Sequence, residues 1–178
     1  MLMSMIELQE YQEAWADEFR AESARLMQVL SGQIEAIEHI GSTAVPGLIA
    51  KPIIDIATHV AATVDPRTLD VPLARLGYEP NPAGPRNHAV YTRSASTRRT
   101  HILHAFTHNE WTACNQRLFR DKLLGDASAR SRYGDLKRNL SKVADGRTYT
   151  SLKTELIQEL LNEERASRGL PPAPAWEK

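Results

Sequence analysis

The stretch from Ile37 to Ile56, IEHIGSTAVPGLIAKPIIDI, constrains the fold more than any other part of the chain. Ile34 to Ile40 alternates apolar and polar residues, as a half-buried strand does, and stops at Gly41-Ser42-Thr43. Pro46-Gly47 stands in the connection that follows, so no long helix fits there. Pro52 to Val60 is a second apolar run with one carboxylate, Asp55, set inside it. A strand that ends in a Gly-Ser turn exposes backbone N–H groups and a hydroxyl, which suit a phosphate. An acid inside an apolar strand is costly unless a metal, a cation or hydrogen bonds satisfy it. The two features together point to nucleotide or phosphoryl-group chemistry.

The rest of the sequence sets limits on that chemistry. With 178 residues the chain suffices for one domain with a real core. Lys plus Arg and Asp plus Glu number 22 each, so there is no bulk positive charge to capture nucleic acid. Arg93, Arg98 and Arg99 lie around a turn without interleaved aromatics, which fits a solvated loop better than a stacking surface. The single cysteine, Cys114, excludes an internal disulfide and a multi-cysteine zinc site. No leader pattern or membrane-length apolar run is present, so a cytoplasmic protein is expected.

Taken in order, residues 11–30 suit a helix, with Trp15, Phe19, Leu26 and Leu30 near a 3.6-residue period and Gly32 ending it. After the two strands, Leu69, Leu73 and Leu76 suit a helix that Pro72 shortens, and residues 77–86 suit a loop. His88 to Arg93 and Thr100 to Thr107 suit an antiparallel strand pair. Helices are expected at 109–124, 128–143 and 148–167, the last with a Tyr149, Leu152, Leu156, Leu160 stripe. The order implies an α+β domain over residues 1–168, a small mixed sheet with an N-terminal helix and a helical C-terminal section. Residues 169–178, with three prolines, are expected to be a flexible tail.

Several side chains are candidates for a site. Lys51 either neutralises a phosphate or is an exposed strand-end lysine. On alternation His104 faces the same way as Ile102 and Phe106; it is either a polar group opposite Asp55 or a core histidine. His39 precedes the turn and either orients it or is structural. Arg120 is a candidate phosphate clamp and Asp121 a metal ligand, or both belong to an inter-helix ion pair. Tyr133 with Lys137 and Tyr149 with Lys153 repeat an i, i+4 spacing that puts phenol and ammonium on one face. Such pairs either line an anion cleft or form an amphipathic seam.

The Gly41-Ser42 turn followed by Asp55 resembles the signature of the nucleotidyltransferase superfamily, in which the turn holds a triphosphate and acids on the next strand bind magnesium. Asp55-Ile56-Ala57 lacks the second acid of that pattern. The longer run His39 to Leu48 with Ala50 to Ile56 is similar to the hallmark of the GrpB family, small bacterial proteins of nucleotidyltransferase-like fold. Tyr11, Trp15, His101-Ile102-Leu103-His104, Leu118-Phe119-Arg120-Asp121, Tyr133, Lys137, Tyr149 and Lys153 extend the similarity over residues 6–165. The resemblance implies a protein that binds a nucleotide or phosphorylated small molecule and transfers a nucleotidyl or phosphoryl group, with a homodimer allowed. The alternative is a non-catalytic binding or folding-helper module that kept the pocket. Asp55, His104 and Lys51 are then the expected catalytic residues. His39, Gly41, Ser42, Thr43, Arg120, Tyr133, Lys137 and Lys153 would hold phosphate. Asp55 and Asp121 would hold a divalent cation, magnesium or manganese.

Overall fold

The structure, a computed structural model, describes residues 7–142 and 146–175, with the backbone alone for 146–150. Helix α1 (Ala14–Val29) precedes strands β1 (Ile34–Ile40) and β2 (Ile54–Val60). A short α2 (Asp70–Ala74), a two-residue β3 (Glu79–Pro80) and the hairpin β4 (Ala89–Ala95) and β5 (Arg98–Phe106) follow. The chain then runs through α3 (His108–Thr112), α4 (Asn115–Gly125), α5 (Ala127–Leu140) and α6 (Gly146–Ser167). The five strands form one mixed sheet in the order β1-β2-β5-β4-β3, with β2 and β5 parallel and the other pairs antiparallel.

The expected mixed sheet with flanking helices is therefore present, and the differences are local. β3 falls inside the segment read as loop, because Glu79 and Pro80 add only a short edge to β4. Proline is tolerated there, where no further strand needs its N–H. The helix expected over 109–124 is broken: Ala113 and Cys114 leave helical geometry between α3 and α4. A capping box of Thr107 and Glu110 starts α3, and the break lets the Arg117 guanidinium lie 4.0 Å from the Trp111 ring centroid.

Register decides which side chains share a face. Ile40 pairs with Asp55 and Asp55 with Ile102; Ala57 pairs with Glu38 and with His104. These residues therefore point to one side of the sheet. The opposite side carries Ile54, Ile56, Leu103 and Ala105, which pack with Trp15, Leu26 and Leu30 of α1 and with Leu69 and Leu73. The Asp55 side is covered by Trp111 and by the C-terminal helices, whose own core includes Leu118, Leu123, Tyr133, Ile157, Leu160 and Leu161. In α6 the inward face runs through Lys153, Ile157, Leu160 and Leu161 with Leu156 beside it, so Leu156 and Leu160 of the expected stripe pack inward while Leu152 is exposed; the Tyr149 side chain lies outside the described residues.

Residues 169–175 are not a free tail. Leu170 and Ala175 pack into the helical core. Gln158 donates to the Ala173 carbonyl at 2.8 Å and accepts from the Ala175 N–H at 2.7 Å, and Asn115 donates to the Pro174 carbonyl at 2.8 Å. Prolines forbid a further helical turn, yet side-chain amides satisfy the extended backbone they leave.

Candidate anion-binding site

The site begins at the end of β1. Gly41 has φ 72° and ψ −174°, a region essentially closed to other residues. Its Cα lies against Asp55: a Cβ placed there would sit 2.4 Å from Oδ2 and 2.9 Å from Cβ of Asp55. Gly41 is thus required twice, by backbone conformation and by the close approach of the carboxylate. Ser42 to Ala44 then form one 3₁₀ turn, so Ser42 follows directly on the glycine that meets Asp55. Thr43 is buried beneath the turn, its hydroxyl donating to the Ile53 carbonyl at 3.1 Å and meeting His39 Nε2 at 3.0 Å. Since the Thr43 proton is committed to Ile53, the His39 ring must donate from Nε2.

The far wall comes from the helices. Ala129, Tyr133, Lys137 and Leu140 form the buried face of α5, so Lys137 points into the molecule, only 4% exposed. Its Nζ donates to Ser42 Oγ at 2.8 Å and lies 5.1 Å from the Tyr133 ring centroid. Lys153, half-buried on the inward face of α6, and Arg99 at the start of β5 add positive charge around Asp55. Lys51, exposed at the rim, lies close enough to act on both buried lysines. A cavity of about 630 Å³ adjoins this group at Lys51 and Arg99, but Trp15, Glu7 and Glu18 line it too, and Ser42, Asp55, Lys137 and Lys153 do not.

Burial governs the protonation states. It pushes the Asp55 carboxyl up to about 7, against the pull of Lys153, Lys137 and Arg99. It pushes the Lys137 ammonium down to about 7, helped by Lys153 and Lys51 and opposed by Asp55. Lys153 is lowered for the same reason, with Lys51 adding repulsion.

Not every expected residue joins this group. Gly41, Ser42, Asp55, Tyr133, Lys137 and Lys153 converge, with Lys51 at the edge and Thr43 beneath. His39 does not reach the pocket: it pairs with Ile56 and so lies on the α1 side of the sheet, stacked on Phe19 with 4.7 Å between centroids. Its pKa falls to about 4 through burial and the Arg120 charge, so it holds the turn through Thr43 as a neutral ring. His104 shares the Asp55 face, but its Nδ1 is 2.8 Å from His88 Nε2 and its partner across the ladder is Ala57.

Arg120 and Asp121 belong to an ion network. Arg120 donates to Glu38 at 2.7 Å, to the His39 carbonyl at 2.9 Å and to Asp121; Asp121 also receives Arg168 at 2.9 Å. This network ties α4 to β1 and leaves Arg120 with no donor turned toward the turn's hydroxyl. Arg120→Gln is expected to lower stability by about 2–4 kcal/mol, because Glu38 then loses a half-buried partner. Affinity for anions should change by less than about twofold. Urea unfolding and titration calorimetry on the variant measure both; a selective loss of binding would return Arg120 to the site.

The donor set does not fit a divalent cation. Asp55 is one carboxylate among ammonium groups, where magnesium or manganese needs several oxygens. The place of a second strand acid is Ala57, fully buried with Ile40, Phe106 and Trp111. Both Asp121 oxygens are already held by arginines. Among the described residues no cluster of three or more His, Cys, Asp or Glu side chains is arranged for a metal. Arg99 is exposed at the start of β5, as the solvated-loop reading expects, and acts on Asp55 through its charge. A register irregularity between Arg93 and Ser94 shifts the hairpin, so alternation could not say where Arg99 would lie.

Comparison with known proteins places this geometry. The family model described as GrpB protein matches residues 5–163. The chain belongs to the GrpB family. A UPF0157 protein of Streptomyces coelicolor is 34% identical over 166 residues, covering 92% of this chain and 86% of that protein. The glutamate-rich protein GrpB of Alkalihalophilus pseudofirmus is 32% identical over 162 residues, covering 86% of this chain and 92% of that one. The crystal structure of GrpB from Enterococcus faecalis superposes with a TM-score of 0.75 at 29% identity, over 88% of this chain and 98% of that one. The Cid1 poly(U) polymerase, solved with magnesium and 3′-dATP bound, aligns at TM-score 0.52 and 14% identity, over 75% of this chain and 43% of that one. At that identity the likeness shows a nucleotidyltransferase-like fold and nothing finer. No helix among the described residues is long and apolar enough to cross a membrane.

Proposed function

We propose that this protein binds a phosphate-bearing small molecule, nucleotides included, in the cationic recess over Asp55, and that Lys137 supplies there the positive charge a metal would otherwise bring. The observation that carries this reading is the buried Lys137 ammonium on the Ser42 hydroxyl, 2.8 Å away, at the mouth of a glycine-dependent turn. A buried ammonium whose partner among the described residues is a neutral hydroxyl is costly. Phosphate oxygens accept from it, from Lys153 and from Ser42 Oγ, and offset that cost. The nucleotide-holding fold neighbour supports the ligand class. Metal-assisted transfer needs two or more carboxylates, and the burial of Ala57 argues for binding without it.

Titration calorimetry with tripolyphosphate, ATP, GTP and CTP tests the reading, each with magnesium and with EDTA. Binding that survives EDTA is expected. No heat from any of these ligands, or a strict need for magnesium, would overturn it.

The pH dependence has a definite sign. An anion is favoured when Lys137 is protonated and Asp55 is neutral, and both states gain population as pH falls through about 7. Affinity for cyclic trimetaphosphate, whose own charge is constant in this range, should rise roughly tenfold from pH 8 to pH 6. Calorimetry in buffers of different ionisation enthalpy should show proton uptake on binding.

A further inference from the structure

A second cavity, of about 720 Å³, lies on the same side of the sheet as Asp55 but is built from different chemistry. His104, Phe106 and His88 line it on the sheet side, and Gln116, Glu110 and the docked segment Pro174–Ala175 line it opposite. This volume suits a small organic ligand.

The polar groups on its walls are directional. The Asn87 side-chain oxygen stands 2.7 Å from His88 Nδ1, so that nitrogen carries the proton and donates. His88 Nε2 is then bare and accepts from His104 Nδ1–H at 2.8 Å. Both rings are neutral, since burial pushes His88 to about 4 and His104, with His88 beside it, to about 3. The chain of tautomers leaves His104 Nε2 as a bare acceptor. The His104 and Phe106 rings lie within 13° of parallel, with 6.2 Å between centroids, and His88 stacks on Phe106 at 4.3 Å. His88 is inclined 41° to His104, so the wall is aromatic with the His104 and Phe106 planes aligned and His88 tilted across them.

Charge on the walls is already used. Glu110 takes the Thr107 hydroxyl and N–H in the capping box. Arg165 is spent on the Pro171 carbonyl, Asn115 and the Ala113 carbonyl. These partners are neutral, but the two charges are opposite in sign, so the lining carries no net charge. The cavity therefore differs from the lysine recess in the ligand it can take: uncharged, flat and carrying a hydrogen to give.

We infer that the cavity over His88, His104 and Phe106 is a separate binding site for a neutral planar heteroaromatic ring that donates an N–H to His104 Nε2. The inference does not depend on the anion reading, because no lysine contributes to this site. Indole and 1-methylindole serve as probes, equal in shape but differing in the N–H. Histidine ring ¹⁵N spectra of the wild-type protein should show His104 Nε2 unprotonated and shifting as indole saturates the site. Indole should bind roughly fivefold to tenfold more tightly than 1-methylindole. In His104→Phe, which keeps a flat ring and removes the acceptor, that preference should vanish. Equal binding of the two probes to wild type, or saturation that leaves the His104 signal unmoved, overturns the inference. So does a preference for indole that persists in His104→Phe.

Discussion

Lys137→Met is expected to abolish measurable binding of inorganic tripolyphosphate while making the protein more heat-stable at pH 7. The first effect follows from the contact with Ser42: a charge-assisted hydrogen bond contributes about 1.5–3 kcal/mol, and its loss weakens binding roughly 10- to 150-fold. The second follows from burial. Methionine fills a similar volume beside Tyr133 without placing a charge in a region 4% exposed. The sign with pH is fixed by the folded pKa near 7, below the ordinary lysine value of 10.5. Between those values the unfolded chain holds a proton that the folded chain lacks, so wild-type stability falls as pH drops from about 10.5 to about 7. The stabilising effect of Lys137→Met should therefore be full at pH 7 and fade toward pH 10.5. Asp55, raised from 3.8 to about 7, works in the opposite window: stability falls as pH climbs from about 4 to 7. The two costs coincide near neutrality. Thermal melts across this range, with calorimetry at pH 7, check the prediction. A variant that melts lower at pH 7 or binds tripolyphosphate normally would refute it.

Gly41→Ala is expected to cost about 3–5 kcal/mol and to remove anion binding from the protein that still folds. Two separate costs add. Alanine at φ 72°, ψ −174° is strained by roughly 1–3 kcal/mol. The new methyl would also occupy the space of the Asp55 carboxylate, 2.4 Å from Oδ2, so either β2 or the turn must move. Movement of the turn separates Ser42 from Lys137. The melting temperature should fall by roughly 6–15 °C. A double-mutant cycle separates the two costs. Asp55→Gly removes every atom that the methyl meets, so the pair should be more stable than the sum of the single changes by about 1–2 kcal/mol. The backbone strain should remain. Strict additivity would mean that contact with Asp55 is not what fixes glycine here.

The side chains around Asp55 differ from a paired-carboxylate metal site in one specific position. Ala57 is locked into a small apolar core with Ile40, Phe106, Trp111 and Cys114. Introducing an acid there would bury a charge with no partner. The ammonium of Lys137 reaches the turn from the helical side instead. A protonated lysine placed by a helix binds phosphate as a point charge and needs no ligand cage.

Much of this was legible in the chain itself. Alternation over Ile34–Ile40, the glycine at 41 and the lone acid at 55 required two strands meeting at a turn with an acid nearby, because period and backbone sterics act within a few residues. The i, i+4 pair Tyr133 and Lys137 likewise announced one helical face. Local rules could not say which partner each group would find. His39 and Arg120 looked equally suited to phosphate, yet sheet register turned His39 toward Phe19, and helix packing gave Arg120 to Glu38 and Asp121. The proline-rich end was held down by Gln158 and Asn115. Sequence spacing determined which faces the strands and helices present. Only tertiary packing decided which face meets which, since that choice depends on contacts between residues scores of positions apart.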